Sequence, residues 1–364
     1  MSGFLPSNGA ASRSYGGNRI PSLDGLRAVS ITLVMVYHLW GTELGGTFAG
    51  VGNLGVRIFF VISGFLITGL LFKELDTNGH IGLKRFYIRR ALRIFPAFYV
   101  FWLAVYFAST SGIVLVRPRE LTEAATYTIN YFAAQGQSVY VKHTWSLSVE
   151  EQFYLLWPIL LCYFGKRRGL GIAACFMLIA PLIRLCYWFF VPGFHELLDR
   201  RFETVADAIA AGCLLAGTQS WLATCPGYNN FLRSKWFYIL PVALYLDANF
   251  LAAHPRIYLS VGQTALNIGI ACCIDRWVRF PQGLVANVLN APAVRRVGIL
   301  SYSIYLWQQP FMSPESRLFV VTPLNLILVF LIASGSFYLI EQPFQSLRTR
   351  LGAAPATRMA VTAG

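Results

Sequence analysis

The sequence predicts an all-α, polytopic membrane protein: a bundle of about ten transmembrane helices with both termini in the cytoplasm. This prediction rests on composition, on the length of the apolar runs and on the placement of the basic residues. Of the 364 residues, 56% are hydrophobic and only 13% are charged, whereas an ordinary soluble domain carries roughly 25% charged residues. So much apolar surface requires lipid as its solvent, and the lipid bilayer is therefore the first partner that the sequence implies.

The apolar runs divide the chain into ten predicted spans. A membrane-crossing helix needs roughly 20 predominantly apolar residues. Runs of about that length lie near residues 23–41, 54–72, 94–115, 144–165, 169–191, 204–222, 236–253, 257–275, 297–313 and 320–341. They form one predicted membrane domain, residues 21–345. Residues 1–20 are predicted to be a flexible cytoplasmic tail and residues 346–364 a basic cytoplasmic tail.

The basic residues give the predicted orientation. The chain has 30 Lys and Arg against 16 Asp and Glu, a net charge of +14. With the N-terminus inside, most of the basic residues fall in predicted cytoplasmic segments, above all in the loop 73–93, and few fall outside. That asymmetry follows the positive-inside rule. The basic excess therefore indicates topology, and no nucleic-acid partner is predicted.

Two segments have features beyond hydropathy. The second predicted span carries Ser63 and Gly64 at its centre, where small side chains allow a neighbouring backbone to approach closely. The stretch 117–142 is the least regular part of the map, because its aromatic, amphipathic portion can lie in the interface or dip into the membrane. An extra re-entrant segment there leaves the other spans unchanged.

The first predicted span carries two ionisable residues, Arg27 and His38. An ionisable group inside a membrane is costly and is by default a candidate functional residue. Their separation of eleven positions returns to within about 20° of the same helix face, roughly 16 Å along the axis. A neutral imidazole can take a proton from a hydroxyl and return it. The alternative is a structural histidine bonded to a neighbouring carbonyl.

The fourth predicted span begins with a second polar run, residues 143–154. Ser146, Glu150 and Tyr154 recur every four residues and therefore share one helical face. A glutamate there can orient an imidazole, as the carboxylate of a catalytic triad does. The alternative is that Glu150, or its neighbour Glu151, only pairs with an intramembrane arginine, of which the candidates are Arg57 and Arg184.

A third group of basic residues precedes the third predicted span. Arg89, Arg90 and Arg93 end the basic loop, and Arg90 and Arg93 are one helical turn apart. Forked guanidinium donors suit phosphate groups. Ordinary positive-inside anchoring also explains basic residues at this place. The polar stretches 301–310 and 341–344 are predicted to be structural, since Tyr and Trp are common interface anchors.

Six short motifs follow one another along the chain. They are Leu23-Asp24-Gly25-Leu26-Arg27 leading to His38, Phe59-Phe60-Val61-Ile62-Ser63-Gly64-Phe65-Leu66, Arg89-Arg90-Ala91-Leu92-Arg93-Ile94, Trp145-Ser146-Leu147-Ser148-Val149-Glu150, Ser301-Tyr302-Ser303-Ile304-Tyr305-Leu306-Trp307 and Glu341-Gln342-Pro343. Each motif alone is weakly specific. Together and in this order they resemble the acyltransferase-3 family of integral membrane O-acyltransferases, in the form of a stand-alone membrane domain of polysaccharide or glycolipid O-acetyltransferase type.

The resemblance implies a multi-pass enzyme of the cell inner (plasma) membrane. It would move an acyl group, usually acetyl, from cytoplasmic acyl-CoA to a hydroxyl of an exopolysaccharide, lipopolysaccharide or lipo-oligosaccharide. By the same resemblance His38, Glu150 and Arg27 are catalytic, and Arg90 and Arg93, with Arg89 beside them, bind acyl-CoA. Acyl-CoA is expected as a substrate, with no permanently bound cofactor and no metal. At Gln308 many members of the family have His.

The resulting hypothesis gives His38 two possible roles. It either activates the acceptor hydroxyl or briefly carries the acyl group itself, with Glu150 orienting the imidazole and Arg27 stabilising negative charge. The main rival function is a transporter or flippase of a glycolipid or small solute, because intramembrane His, Glu and Arg can also form a proton relay. A sensor or scaffold without turnover is the third reading, and the short predicted loops argue against it.

Overall fold

A computed structural model describes residues 20–40, 49–132, 136–250 and 254–352. This part of the chain is mostly helical and contains no strand, so the all-α prediction is confirmed for it. The tail predicted at 1–20 lies outside the described residues except for Ile20. Of the tail predicted at 346–364, residues 346–352 continue a helix and the remainder lies outside.

Fifteen α-helices occur in the described residues. In chain order they are α1 (Pro21–Trp40), α2 (Ala49–Asn78), α3 (Leu83–Thr110), α4 (Pro118–Ala125), α5 (Val139–Lys142), α6 (Trp145–Phe190), α7 (Phe202–Thr224), α8 (Pro226–Arg233), α9 (Ile239–Phe250), α10 (Pro255–Ile257), α11 (Gln263–Arg279), α12 (Leu284–Asn290), α13 (Pro292–Met312), α14 (Leu324–Ser336) and α15 (Gln342–Gly352). Short 3₁₀ segments lie at Ile129–Tyr131, Pro192–Leu197 and Lys235–Tyr238, and π-helical turns at Tyr258–Gly262 and Phe337–Glu341.

Five helical stretches within the described residues are long and apolar enough to cross a membrane. They are Gly50–Asn78, Leu83–Thr110, Val139–Phe190, Pro255–Arg279 and Leu324–Leu347. A sixth crossing results if Gly193–Thr224 and Pro226–Arg233, which are bent by 101° at their junction, count as one span. The chain is thus built as a multi-pass helical membrane protein. That ten helices cross, and that both termini are cytoplasmic, stay predictions.

The longest helix, α6, is interrupted at Gly165. Its 46 residues would extend about 69 Å, far more than the roughly 30 Å of a bilayer core. At Gly165 the backbone has φ 69° and ψ −179°, a conformation that glycine alone adopts readily. The break divides α6 into two segments that coincide with the predicted spans 144–165 and 169–191.

The region predicted to be irregular, 117–142, contains only short helical segments. Helices α4 and α5 and the 3₁₀ turn at Ile129–Tyr131 have eight, four and three residues. None of these segments is long enough to cross a bilayer, which needs roughly 20 residues. Residues 133–135 of the amphipathic portion lie outside the described residues.

Helices α2 and α7 pack against one another through glycine. A Cβ at Gly64 would overlap the backbone carbonyl of Ile209, and a Cβ at Gly212 would overlap that of Val61. The close approach that Ser63 and Gly64 predict is therefore present. It brings Ser63, which faces the interior of the bundle, into a fixed position beside α6.

Helix α1 packs against α13 in the same way. The backbone of Gly298 lies directly against the backbone of Asp24, without room for a side chain between them. The two helices run beside one another over most of their length, so the end of α1 lies near the end of α13. This pairing determines which residues surround Arg27 at one end of α1 and His38 at the other.

Candidate active site

A cavity of about 350 Å³ lies at the end of the bundle where α1, α3 and α13 begin. Helices α2 and α6 form its other walls, and the C-terminal turn at Phe337–Glu341 closes one side. We call it the arginine cavity. Its charged lining residues are Asp24, Arg27, Arg90, Arg93, Glu150, Glu151 and Glu341.

Four of the six predicted site residues line this cavity. They are Arg27, Arg90, Arg93 and Glu150. They come from three separate helices, α1, α3 and α6, so their convergence is a property of the fold. Neither His38 nor Arg89 is among the described residues that line it.

Glu150 is held at the cavity wall by two hydroxyl groups. The Ser63 hydroxyl donates to Glu150 Oε1 at 2.6 Å, and the Tyr154 hydroxyl lies 3.3 Å from Oε2. Ser146, Glu150 and Tyr154 all line the cavity, so the shared face predicted from their spacing is confirmed. The hydroxyl contacts fix the carboxylate while its edge faces the cavity.

The alternative that Glu150 or Glu151 pairs with Arg57 or Arg184 is wrong. Arg184 binds Asp207 at 2.9 Å, with both side chains fully buried. Arg57 is also buried and lies 3.6 Å from the carboxylate of Asp199. A buried charge needs a partner and further hydrogen bonds, and the structure supplies both arginines with an aspartate from the segment between α6 and α7 or from α7.

The arginines differ in how firmly they are held. Arg27 lies 3.5 Å from Asp24, one turn earlier on α1, and its side chain is 20% exposed. Arg90 lies over the ring of Tyr154, with 5.1 Å from its guanidinium carbon to the ring centroid, and also over Phe86. Such cation–π contacts orient a guanidinium. Arg93 joins them one turn after Arg90.

His38 lies towards the opposite end of α1. It is half-buried, its ring meets that of Tyr37 edge-on at 5.2 Å, and it is near the carbonyl of Val34 one turn earlier. The side chain of Gln308 reaches towards it from α13. The stripe predicted from Arg27 to His38 therefore runs from the arginine cavity to a separate polar region.

His143 belongs to that second region, and the sequence prediction did not include it among the site residues. It is 3% exposed and its Nε2 lies 3.1 Å from the carbonyl oxygen of Leu306. It is within electrostatic range of His38, and Gln309 lies beside it. We call His38, His143, Gln308 and Gln309 the histidine cluster. The signal that could have found His143 is its position directly before the polar face of α6.

Ser146 and Tyr305 lie between the cavity and the cluster. Both line the arginine cavity, and their hydroxyl oxygens are 2.6 Å apart. The Tyr305 hydroxyl donates to the backbone carbonyl of His143 at 2.8 Å, so the Ser146 hydroxyl must donate to Tyr305. A substrate that extends from the arginine cavity to the histidine cluster would therefore pass these two hydroxyl groups, which we call the hydroxyl layer.

The polar stretches predicted to be purely structural contribute to the cavity. Tyr302, Tyr305 and Glu341 line it, and Glu341 accepts a hydrogen bond from Ser303. Glu341 ends the π-helical turn, which changes the direction of its side chain relative to a continuous α-helix. The prediction judged these residues by composition, which does not distinguish an interface anchor from a residue facing a cavity.

The arrangement suits a phosphorylated ligand at one end and proton transfer at the other. A volume of about 350 Å³ lies within the usual range for small-molecule sites, roughly 300–1,000 Å³. Arg90 and Arg93 offer forked donors that bind phosphate oxygens in pairs. The imidazoles of His38 and His143 are groups that can accept a proton and return it.

Comparison with known proteins gives a consistent result. A family model described as an acyltransferase domain matches residues 20–341. The chain is 31% identical over 317 residues to a Staphylococcus aureus (strain COL) protein provisionally named an O-acetyltransferase, covering 79% of this chain and 50% of that protein. It is 27% identical over 342 residues to the peptidoglycan O-acetyltransferase of Listeria monocytogenes, covering 86% of this chain and 52% of the relative.

The match is to part of each relative. The chain spans about half the length of the curated relatives it matches. A Bacillus subtilis (strain 168) protein provisionally named a peptidoglycan O-acetyltransferase is matched in the same way, at 29% identity over 331 residues, 48% of its length. No solved structure is significantly similar to the chain.

Proposed function

Because the chain belongs to the acyltransferase-3 family, we propose that it transfers an acetyl group from acetyl-CoA to a hydroxyl of a cell-surface or exported glycan. The observation that carries this proposal is the arginine cavity, in which Arg27, Arg90, Arg93 and Glu150 converge from three helices. A cavity with several guanidinium groups is suited to a substrate whose phosphates lie at one end and whose reactive group lies at the other.

The donor is bound from the end of the bundle at which the cavity lies. Arg90 and Arg93, with Arg89 beside them at the start of α3, hold the phosphates of acetyl-CoA. The narrow pantetheine arm then extends along α1 past Ser146 and Tyr305 towards His38. Arg27 and His38 are roughly 16 Å apart along the helix axis, so an extended arm is required to bring the thioester to the imidazole.

The chemical step needs one base and one source of positive charge. The imidazole of His38 takes the proton of the acceptor hydroxyl, and the oxygen attacks the thioester carbonyl. The carbon–sulfur bond breaks, and the leaving thiolate receives the proton that His38 carries. Once protonated, His38 is itself the positive charge beside the reacting groups, whereas Glu150 and Arg27 lie in the arginine cavity, where Arg27 helps to bind the phosphates of the donor.

The names of the relatives and the membrane location support a glycan as the acceptor. The Listeria and Bacillus proteins are named for peptidoglycan, and the family resemblance extends to exopolysaccharides, lipopolysaccharides and lipo-oligosaccharides. All of these offer sugar hydroxyls. We place the chain in the cell inner (plasma) membrane, where donor and growing glycan are both within reach.

Labelled acetyl-CoA tests the proposal. Membrane vesicles that contain the chain are given acetyl-CoA labelled in the acetyl group, and free thiol and labelled saccharide are measured together. We expect equal amounts of thiol and glycan ester, and neither in vesicles from cells without the chain. A transporter would instead leave the label on CoA, and that result would contradict the transferase.

A further inference from the structure

The histidine cluster contains buried polar atoms that lack a well-formed hydrogen bond. Nδ1 of His38, Nδ1 of His143, both polar atoms of the Gln308 amide and Oε1 of Gln309 make no hydrogen bond of normal geometry among the described residues, although the Gln308 side chain is directed towards His38 and the Gln309 side chain towards His143. Gln308 is fully buried, and His143 and Gln309 are 3% and 6% exposed. A buried polar group without a well-formed hydrogen bond is unfavourable, so four such side chains in one place require an explanation.

The hydrogen bond of His143 defines which of its nitrogens is free. Its Nε2 lies 3.1 Å from the carbonyl oxygen of Leu306, and a carbonyl only accepts. Nε2 must therefore carry the proton, and in the neutral imidazole Nδ1 is then an acceptor. That acceptor is buried and lies on the side of the ring away from Leu306, near His38 and Gln309.

The free groups include both donors and acceptors, and no charge. Nδ1 of His143 and the amide oxygens of Gln308 and Gln309 accept, while the amide nitrogen of Gln308 donates. An anion would meet too many acceptors, and an apolar chain would satisfy none of them. A hydroxyl group, which donates once and accepts from others, matches this set.

We infer that the histidine cluster is the binding site for the acceptor hydroxyl, with Gln308 and the Nδ1 of His143 holding the sugar while His38 removes its proton. This inference rests on the function proposed above. It places the acceptor on the opposite side of the hydroxyl layer, Ser146 and Tyr305, from the phosphates of the donor, where the end of the pantetheine arm arrives. His38, at the half-buried edge of the cluster, is the residue that both substrates reach.

Two substitutions test the site without removing its supporting contacts. Gln308→Met keeps the length of the side chain and removes both polar atoms. His143→Gln keeps a nitrogen donor for the Leu306 carbonyl and removes the Nδ1 acceptor. The probe is the saccharide fraction of the membranes in which the chain is expressed. Its amount is varied at a fixed concentration of labelled acetyl-CoA.

The expected result is a change on the acceptor side only. Each variant should need at least about ten times more saccharide fraction for half-maximal transfer, with the KM for acetyl-CoA within about twofold of the original. Gln308→Met should melt no lower than the original chain, because it removes unpaired buried polar atoms. The matched control, Gln282→Leu in an exposed loop, should change neither KM.

Two results would overturn the inference. One is an unchanged requirement for saccharide in both variants. The other is a rise in the KM for acetyl-CoA equal to the rise for saccharide, which would assign these residues to the donor or to general packing. If one variant is recovered at low yield, the other variant decides the test, since each removes a different part of the site.

A measurement of accessibility separates this inference from the proposed function. In the folded chain, Gln308→Cys should react with the small, uncharged reagent methyl methanethiosulfonate, more slowly when the saccharide fraction is present, and mass spectrometry should locate the adduct at that position. Ile304→Cys, which is equally buried on the same helix but lies outside the histidine cluster, should not react. If the original chain releases no thiol from acetyl-CoA but Gln308→Cys reacts, the transferase proposal is wrong and the polar site stands. If Gln308→Cys is inert, the site itself is wrong.

Discussion

Arg184 and Arg27 are both arginines inside the helical bundle, yet their surroundings differ in every respect. Each nitrogen of the Arg184 guanidinium makes a hydrogen bond, to Asp207, to Thr264 and to two backbone carbonyls, and the side chain is fully buried. Arg27 has a 3.5 Å contact with Asp24 and faces the arginine cavity. A saturated arginine, whose nitrogens all make hydrogen bonds within the protein, holds helices together, whereas an arginine with unused donors facing a cavity can bind a ligand.

The largest expected effect is on stability, at the saturated arginine. Arg184→Ala leaves the carboxylate of Asp207 buried without its partner, and breaking a buried pair in this way costs about 3–5 kcal/mol. We expect little monodisperse protein after extraction into detergent, and a large loss of melting temperature in what remains.

The neutral pair Arg184→Leu with Asp207→Leu is the control. Replacing both charges by apolar side chains is often close to neutral, so the double variant should recover much of the lost yield. If Arg184→Ala melts like the original chain, Arg184 does not hold α6, α7 and α11 together and the contrast with Arg27 fails.

The second effect is on rate, at the far end of α1. His38→Ala removes the proposed proton acceptor and should lower the rate of glycan acetylation roughly 10²–10⁴-fold. Because His38 is only half-buried, the melting temperature should change little. Transfer of labelled acetyl groups is measured in vesicles that contain equal amounts of each protein. Normal acetylation by the variant would remove His38 from the mechanism.

The third effect concerns the helix contact that links the surroundings of Arg184 to those of Glu150. Helix α7 carries Asp207, the partner of Arg184, and packs at Gly212 against α2, whose Ser63 holds Glu150. Gly212→Ala would push the helices apart, at a cost of about 1–3 kcal/mol, and should lower both the melting temperature and the rate.

A matched glycine distinguishes packing from helix propensity. Gly335 lies within α14, and a Cβ added there would have no atom within 4 Å. Gly335→Ala should therefore be neutral, or stabilise by about 0.5–1 kcal/mol. If both alanine variants behave alike, the close approach of α2 and α7 does not support the site.

The smallest effect concerns a cavity arginine. Arg93→Lys keeps the charge and removes the forked donor, so the KM for acetyl-CoA should rise roughly tenfold, by about 1.4 kcal/mol, while the melting temperature is unchanged. Because a partly exposed charge is screened by salt, raising the ionic strength should reduce the difference from the original chain. If Arg93→Lys instead lowers the melting temperature, Arg93 has a structural role like that of Arg184.

Much of the fold could be predicted because hydropathy and small residues act locally. Helix α1 over Pro21–Trp40, the two segments of α6 and the glycine contact of α2 all follow from short windows of sequence. The shared face of Ser146, Glu150 and Tyr154 follows from helix periodicity alone.

The parts of the site that could not be predicted depend on contacts between distant segments. His143 becomes a candidate only when α13 brings Gln308 and Gln309 beside it. Glu341 faces the cavity because of a π-helical turn, which has no recognisable signal in its sequence. The sequence offered Glu150 and Glu151 only as alternative partners of Arg57 and Arg184. It could not identify Asp199 and Asp207, because a buried arginine indicates that a carboxylate is needed but not which one is near.

The break at Gly165 has a consequence for how substitutions combine. One segment of α6 carries Glu150 and the other carries Arg184, and they are connected through a single residue with non-helical backbone. Distant sites without shared partners have additive effects on free energy. Changes that stabilise the surroundings of Arg184 without altering the α2–α7 contact at Gly212 should therefore offset destabilising changes in the arginine cavity, so that one half of α6 tolerates changes to the substrate site while the other half keeps the helices together.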